Sequence, residues 1–200
     1  LKIVDHLELK YPDYDGLNLT WEVREGLIKH RKPGQTRLDG TCLHSMPSLE
    51  SQVADVADDL TYSGHDVDDG LDAGLITEED LDELAIWREA AEPARSAGLR
   101  EGSDKFRAFT VRNLIDTMVG DVVRHSHNLI TENSIKTSGD AQNLLFKTVC
   151  FSPELEGKTR KLRDFLYKCV YFSEDLAEIN RDCQEKMRAL FKYFVRKPSK

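Results

Sequence analysis

Apolar residues recur at intervals of three and four along most of the chain, and almost no stretch alternates with a period of two, so the pattern predicts helices and few strands. The clearest segment, residues 47–70, reads PSLESQVADVADDLTYSGHDVDDG. Leu49, Val53, Val56, Ala57 and Leu60 make its apolar stripe. Ser48 stands where an N-cap belongs, but position 51 is Ser51 rather than the Glu or Gln of a capping box, so the cap is partial. The other face carries Asp55, Asp58, Asp59, Tyr62, His65, Asp66, Asp68 and Asp69. Asp58, Tyr62 and Asp66 are four residues apart and form one ridge of the helix. Carboxylates at this density repel one another unless a cation or a hydrogen-bonding ligand offsets them, although a run of Asp is also the ordinary face of a solvated helix.

The remaining pattern fills in an all-α chain. Residues 1–9 place Ile3, Val4 and Leu7 on one face and read as a helix cut in the middle; residues 11–16 read as a turn. A helix is expected from Trp21 to His30, with Thr20 as its cap, Glu22 in its first turn, and Trp21, Val23, Leu27 and Ile28 packed. Residues 31–46 are broken by Pro33, Gly34 and Gly40, and Arg31, Lys32 and Arg37 make them a basic loop near the acidic ridge. Thr77, with Asp80 three residues on, opens a short amphipathic helix carrying Leu81, Leu84, Ile86 and Trp87. Residues 93–103 read as a linker. Residues 106–129 are nearly apolar all round and predict a helix buried between neighbours. After the polar residues 131–140, a helix starts at Phe151-Ser152-Pro153-Glu154, and a last amphipathic helix covers residues 175–195. A division at 130/131 is expected, with a helical core before it and a helical extension after it.

Composition narrows the function classes. Charged residues make up 32% and apolar residues 40% of 200 residues, with a mean hydropathy of −0.51, which suits a soluble, charge-rich chain. No run of about 18 apolar residues could span a membrane, and no secretory signal heads the chain. The net charge of −8 does not suggest a nucleic-acid partner. Cys42, Cys150, Cys169 and Cys183 have neither CxxC nor zinc-finger spacing, and the expectation is free thiols in a reducing, cytoplasmic compartment.

Candidate chemistry is sparse. There is no GxSxG elbow and no glycine-rich phosphate loop. Metal-assisted hydrolysis remains, because imidazole and carboxylate on a helix can hold a divalent ion that activates water. His65-Asp66 is one such dipeptide, though a dipeptide alone is weak.

Four blocks taken together resemble one family. They are LNLTWEVREGLIKH at 17–30, SLESQVADVADDLTYSGHDVDDGL at 48–71, RNLIDTMVGDVV at 112–123 and LRDFLYKCVY at 162–171. In this order they resemble the deoxyguanosine triphosphate triphosphohydrolase branch of the HD-domain phosphohydrolases, in its C-terminal portion. The resemblance implies an HD-domain-like helical fold, incomplete at its N-terminus. It also implies a mononuclear divalent metal such as Mg or Mn, held by a His, a His-Asp pair and a distant Asp. Matched residue by residue, Asp58 corresponds to that distant metal-binding Asp, Tyr62 to the tyrosine on the deoxyribose, and Asp66 to the aspartate that reads the 3′-hydroxyl. His65-Asp66 is therefore not the family's metal pair. That pair, the first His and the catalytic residues are expected before Leu1, so the chain alone is expected to be inactive.

The reaction implied is attack of water on the α-phosphorus of a deoxynucleoside triphosphate, giving deoxynucleoside and inorganic triphosphate. Arg107 and Arg112 are candidates to face the phosphates, each with a helix-surface ion pair as the plain alternative. A homo-oligomer is expected from the family. The alternative is a non-catalytic nucleotide-binding regulator or oligomerisation protein of the same fold.

Overall fold

The computed structural model describes residues 1–31 and 37–197, with the backbone alone at 29–31, 174 and 175. The chain is all-α. Its helices are α1 (Trp21–Arg31), α2 (Leu49–Asp72), α3 (Glu78–Leu81), α4 (Ala85–Ser96), α5 (Asp104–Glu132), α6 (Ser138–Gln142), α7 (Pro153–Leu166) and α8 (Glu174–Arg196). Ile3–Leu7 and Tyr167–Tyr171 are π-helical. Strands β1 (Arg37–Leu38) and β2 (Thr41–Cys42) pair antiparallel around Asp39-Gly40. Both turn residues have positive φ, +47° and +81°, which is why an Asp-Gly pair serves as the two-residue turn of this hairpin. Of the basic loop, Lys32, Pro33 and Gly34 and the side chain of Arg31 lie outside the described residues; Arg37 is exposed and donates to the Gly40 carbonyl at 3.1 Å.

The chain forms two compact units, each drawn from separated stretches. The first comprises Leu1–Tyr62 and Asp116–Leu155. Its core holds Ile28, Leu38, Leu60, Met118, Val122, Val149 and Leu155 together with several polar side chains, among them Glu25, Gln52 and Thr148. Arg24 ties α1 to the N-terminal turn and the hairpin, bonding both oxygens of Asp5 at 2.9 Å and Asp39 at 2.6 Å. The hydrogen bond from Arg24 holds the Asp5 carboxyl below its usual value. Glu25, fully buried, accepts the His44 backbone N–H at 2.7 Å and lies 3.1 Å from its Nδ1.

Ser48 does cap α2, its Oγ accepting from Ser51 N at 3.3 Å. The buried stripe, however, differs from the expected one: Val53 is exposed, and Gln52 is buried in its place. Gln52 lies three residues after Leu49 and four before Val56, on the stripe itself. Its amide can be buried because it is satisfied: Nε2 donates to Pro47 O at 3.0 Å, and Oε1 accepts from Thr148 N and Val149 N at 2.8 and 3.1 Å.

The second unit comprises Ser63–Ile115 and Glu156–Lys200. Trp87, Ala91, Ala94, Phe106, Leu114, Leu162 and Leu166 are among its most buried apolar residues. Thr77 opens α3 with a full capping box: its Oγ1 accepts from Asp80 N at 3.1 Å, and Asp80 accepts from Thr77 N at 2.9 Å. The expected single helix divides at residues 82–84, where Asp82 receives Arg95 Nη2 on both oxygens at 2.7 Å. The expected linker at Pro93 is instead helical. Pro93 sits, exposed, in the last turn of α4, where it forgoes one backbone hydrogen bond, while Ala90, Ala91 and Ala94 of the same helix are buried. In α5, Phe106, Leu114, Met118 and Val122 are buried but Phe109, Val119 and Val123 are exposed, so its nearly all-round apolar pattern is only half used. In the first unit, a second capping box, Thr137 with Asp140, starts α6 at the end of the polar residues 131–140. Ser152 caps α7 and is itself held by both oxygens of Asp121, each at 2.8 Å.

Candidate functional site

In the first unit, α1 and α2 approach closely at Gly26, where a Cβ would come within 2.2 Å of Ser51 Oγ. Only glycine lets the helices pack this tightly. Beside this contact lies a hollow of about 360 Å³ lined by Val23, Gly26 and Leu27 of α1 and by Ser51, Ala54, Asp55 and Asp58 of α2. Val23 and Leu27, expected in the core, form its partly exposed wall. The two carboxylates differ. Asp55 pairs with Lys147, whereas Asp58 is exposed and makes no hydrogen bond or ion pair among the described residues. Tyr62, one turn beyond Asp58, is 58% exposed, with no bonding partner for its hydroxyl among the described residues.

In the second unit, α2 carries Asp66, Asp68 and Asp72. Asp66 is half-buried, and its Oδ2 accepts from the Tyr171 hydroxyl; Oδ1 has no partner among the described residues. Tyr171 lies in the π-helical end of α7 beside Tyr167, ring centroids 5.2 Å apart. Arg107 on α5 pairs with Asp68 at 3.1 Å and Asp72 at 3.2 Å, so its guanidinium is already committed to carboxylates. It also lines a hollow of about 500 Å³ whose other walls include Glu78, Glu79, Asp82, Glu101 and Asp104, a rim that repels anions. Arg112, one and a half turns on, is exposed and bonds to nothing among the described residues. Neither arginine bonds Asp66.

Asp58, Tyr62 and Asp66 therefore share one unbroken helix at the expected spacing. His65, next to Asp66 in the helix, is exposed. Among the described residues, no three His, Cys, Asp or Glu side chains converge on a position that could hold a metal. The described residues alone do not make a metal centre; Asp58 can contribute one ligand and no more. Sequence reasoning missed Tyr171, although it lies in one of the four quoted blocks, because a phenol 105 residues away in sequence gives no spacing signal toward Asp66.

The phosphohydrolase-associated domain family matches residues 149–200. A deoxyguanosinetriphosphate triphosphohydrolase-like protein of Geobacter metallireducens is 32% identical over 99% of this chain and 52% of its own length. Proteins of the same description from Paracoccus denitrificans and Thiobacillus denitrificans are 35% and 37% identical, over 100% and 86% of this chain and 56% and 46% of their own lengths. The chain thus spans about half the length of the curated relatives it matches. Over 86–100% of its length it follows these proteins, and it belongs to the deoxyguanosinetriphosphate triphosphohydrolase-like branch of the HD-domain phosphohydrolases.

Proposed function

We propose that the chain is the C-terminal portion of a metal-dependent deoxynucleoside triphosphate triphosphohydrolase, cleaving a dGTP-like substrate to deoxynucleoside and inorganic triphosphate. The observation that carries the reading is Asp58: an exposed carboxylate without a partner among the described residues, at the edge of a hollow with apolar walls. A carboxylate with which no described lysine or arginine pairs is free to ligate a cation. A divalent metal there would supply Lewis acidity toward a phosphoryl oxygen. Its other ligands would come from parts of the longer protein outside this chain.

The chain's own residues would recognise the sugar. The exposed ring of Tyr62 offers an apolar face to a deoxyribose. Asp66, with one oxygen occupied by Tyr171, keeps Oδ1 to accept a hydrogen bond from a 3′-hydroxyl. Arg112 would face the phosphates, joined by Arg107 if it exchanges its carboxylates for substrate.

The test measures inorganic triphosphate and deoxynucleoside formed from dGTP with Mn²⁺ or Mg²⁺. The full-length protein is expected to release both and its Asp58→Ala variant neither, while the 200-residue chain of verified mass releases none. Release by the 200-residue chain alone would overturn the partial-site reading and return His65-Asp66 as a metal pair. Unchanged metal affinity in Asp58→Ala would remove Asp58 from the site.

A further inference from the structure

The dipeptide Asp-Gly occurs at 15–16, 39–40 and 69–70, and the fold treats these three pairs differently. Gly16 is buried, and its N–H donates to Glu8 O at 3.0 Å. Gly70 is buried inside α2, where the helix ladder takes its N–H. Gly40, at the tip of the β1–β2 hairpin, is exposed, and its N–H has no partner among the described residues. The side chain of Asp39 is 62% exposed and is held on one oxygen by Arg24 Nη1 at 2.6 Å.

An aspartate followed by glycine undergoes one covalent change that needs no reagent except water. The glycine nitrogen attacks the aspartate Cγ, and the absence of a Cβ on glycine leaves its approach unobstructed. A C–N bond forms and a Cγ–O bond breaks. The oxygen leaves as water, carrying one proton from the acid form of the carboxyl and one from the amide, and a five-membered imide remains. A second water then opens the ring. Cleavage at Cγ restores aspartate; cleavage at the main-chain carbonyl carbon leaves isoaspartate, with the backbone running through the side-chain methylene. Nothing is oxidised or reduced, and the product has the mass of the starting chain.

The turn must open for the Gly40 nitrogen to reach Cγ. Two features make opening easy. Each strand of the hairpin has two residues, and an isolated two-stranded ribbon is marginally stable. The tie from Arg24 is an ion pair to an exposed carboxylate, a weak restraint. Asp15 and Asp69 have no such exit, because freeing Gly16 or Gly70 breaks a backbone hydrogen bond at a buried residue.

We propose that Asp39–Gly40 is a modification site, where the folded chain forms the cyclic imide and then isoaspartate while the other two Asp-Gly pairs are protected. The change reaches beyond the turn. One extra main-chain atom in a two-residue turn ends the pairing of Leu38 with Thr41, and it takes the Asp39 carboxylate away from Arg24 on α1.

The test incubates the intact full-length protein at neutral pH, folded and in denaturant, and locates isoaspartate by peptide mapping. In denaturant the three pairs should convert at similar rates. In the folded protein Asp39 should keep its unfolded rate to within about tenfold, while Asp15 and Asp69, which react only through larger openings, should slow at least about a hundredfold. Asp39→Asn, a residue this turn accepts equally well, should lose ammonia at the same position by the same ring closure, faster than the wild type isomerises. Three results would overturn the proposal: isoaspartate appearing first at Asp15 or Asp69; protection of Asp39 as strong as theirs; or an Asp39→Asn variant that retains its amide when folded but not in denaturant.

Discussion

The two halves of α2 carry the same residue type at the same helical spacing, yet they treat it oppositely. In the second unit, Asp66 receives the Tyr171 hydroxyl, and Asp68 and Asp72 share Arg107. In the first unit, Asp55 has Lys147, but Asp58 has no partner among the described residues and borders a hollow. An aspartate-rich helix face is thus two things at once: a set of structural ties, and carboxylates left available, of which Asp58 borders a hollow. Spacing alone cannot separate these roles. What separates them is which basic or hydroxyl side chain the rest of the chain brings alongside.

The largest expected effect tests the available member. In the full-length protein, Asp58→Ala should lower metal affinity roughly a hundredfold or more, measured by titration calorimetry, while changing stability by less than about 0.5 kcal/mol. A large loss of stability would mean that Asp58 is another structural tie. Next comes Gln52→Leu, which strips the buried N–H groups of Thr148 and Val149 of their acceptor; chemical denaturation should register a loss of about 2–4 kcal/mol. Arg107→Gln leaves Asp68 and Asp72 unpaired, but at a partly exposed site, so a loss below about 1 kcal/mol is expected, shrinking further in high salt.

The smallest effect extends the contrast to the helix caps. Hydrogen bonds from the Thr77 hydroxyl, then from its backbone, hold Asp80 below the ordinary carboxylate value of 3.8. A carboxyl lowered in the folded state contributes stability that is complete above its unfolded value and is lost as pH falls through the folded one. Thr77→Ala should therefore flatten the acid limb of the stability curve below about pH 4 and leave the neutral region flat; an acid limb identical to wild type would show that the box contributes nothing.

Much of this was legible in the chain. The caps at Ser48 and Thr77, the start of α1 at Trp21, the length of α5 and the ridge of Asp58, Tyr62 and Asp66 all follow from local spacing, and local spacing is what a helix obeys. The misreadings share one cause. Gln52 was passed over as a core residue because its burial depends on two amides nearly a hundred residues away. Pro93 was given to a linker because its local cost is visible in sequence while the burial of Ala90, Ala91 and Ala94 in the same helix is not. For the site, residue types and spacing announced the ridge, but the partners that distinguish Asp58 from Asp66 are non-local, and the metal shell that would complete Asp58 is not made by the described residues.

The π-helical segment Tyr167–Tyr171 has a consequence for how this protein can change. A wide turn, closed by Phe172 N to Tyr167 O at 3.0 Å, accommodates one residue more than an α-helical path would use. That surplus residue sets the phase at which Tyr171 leaves the helix and meets Asp66. Removing any single residue from the segment would let it relax to ordinary helix and swing the phenol by about 100°, away from the carboxylate, with the chemistry of every remaining side chain intact. An insertion or deletion here can therefore break the Tyr171–Asp66 hydrogen bond while both residues are retained.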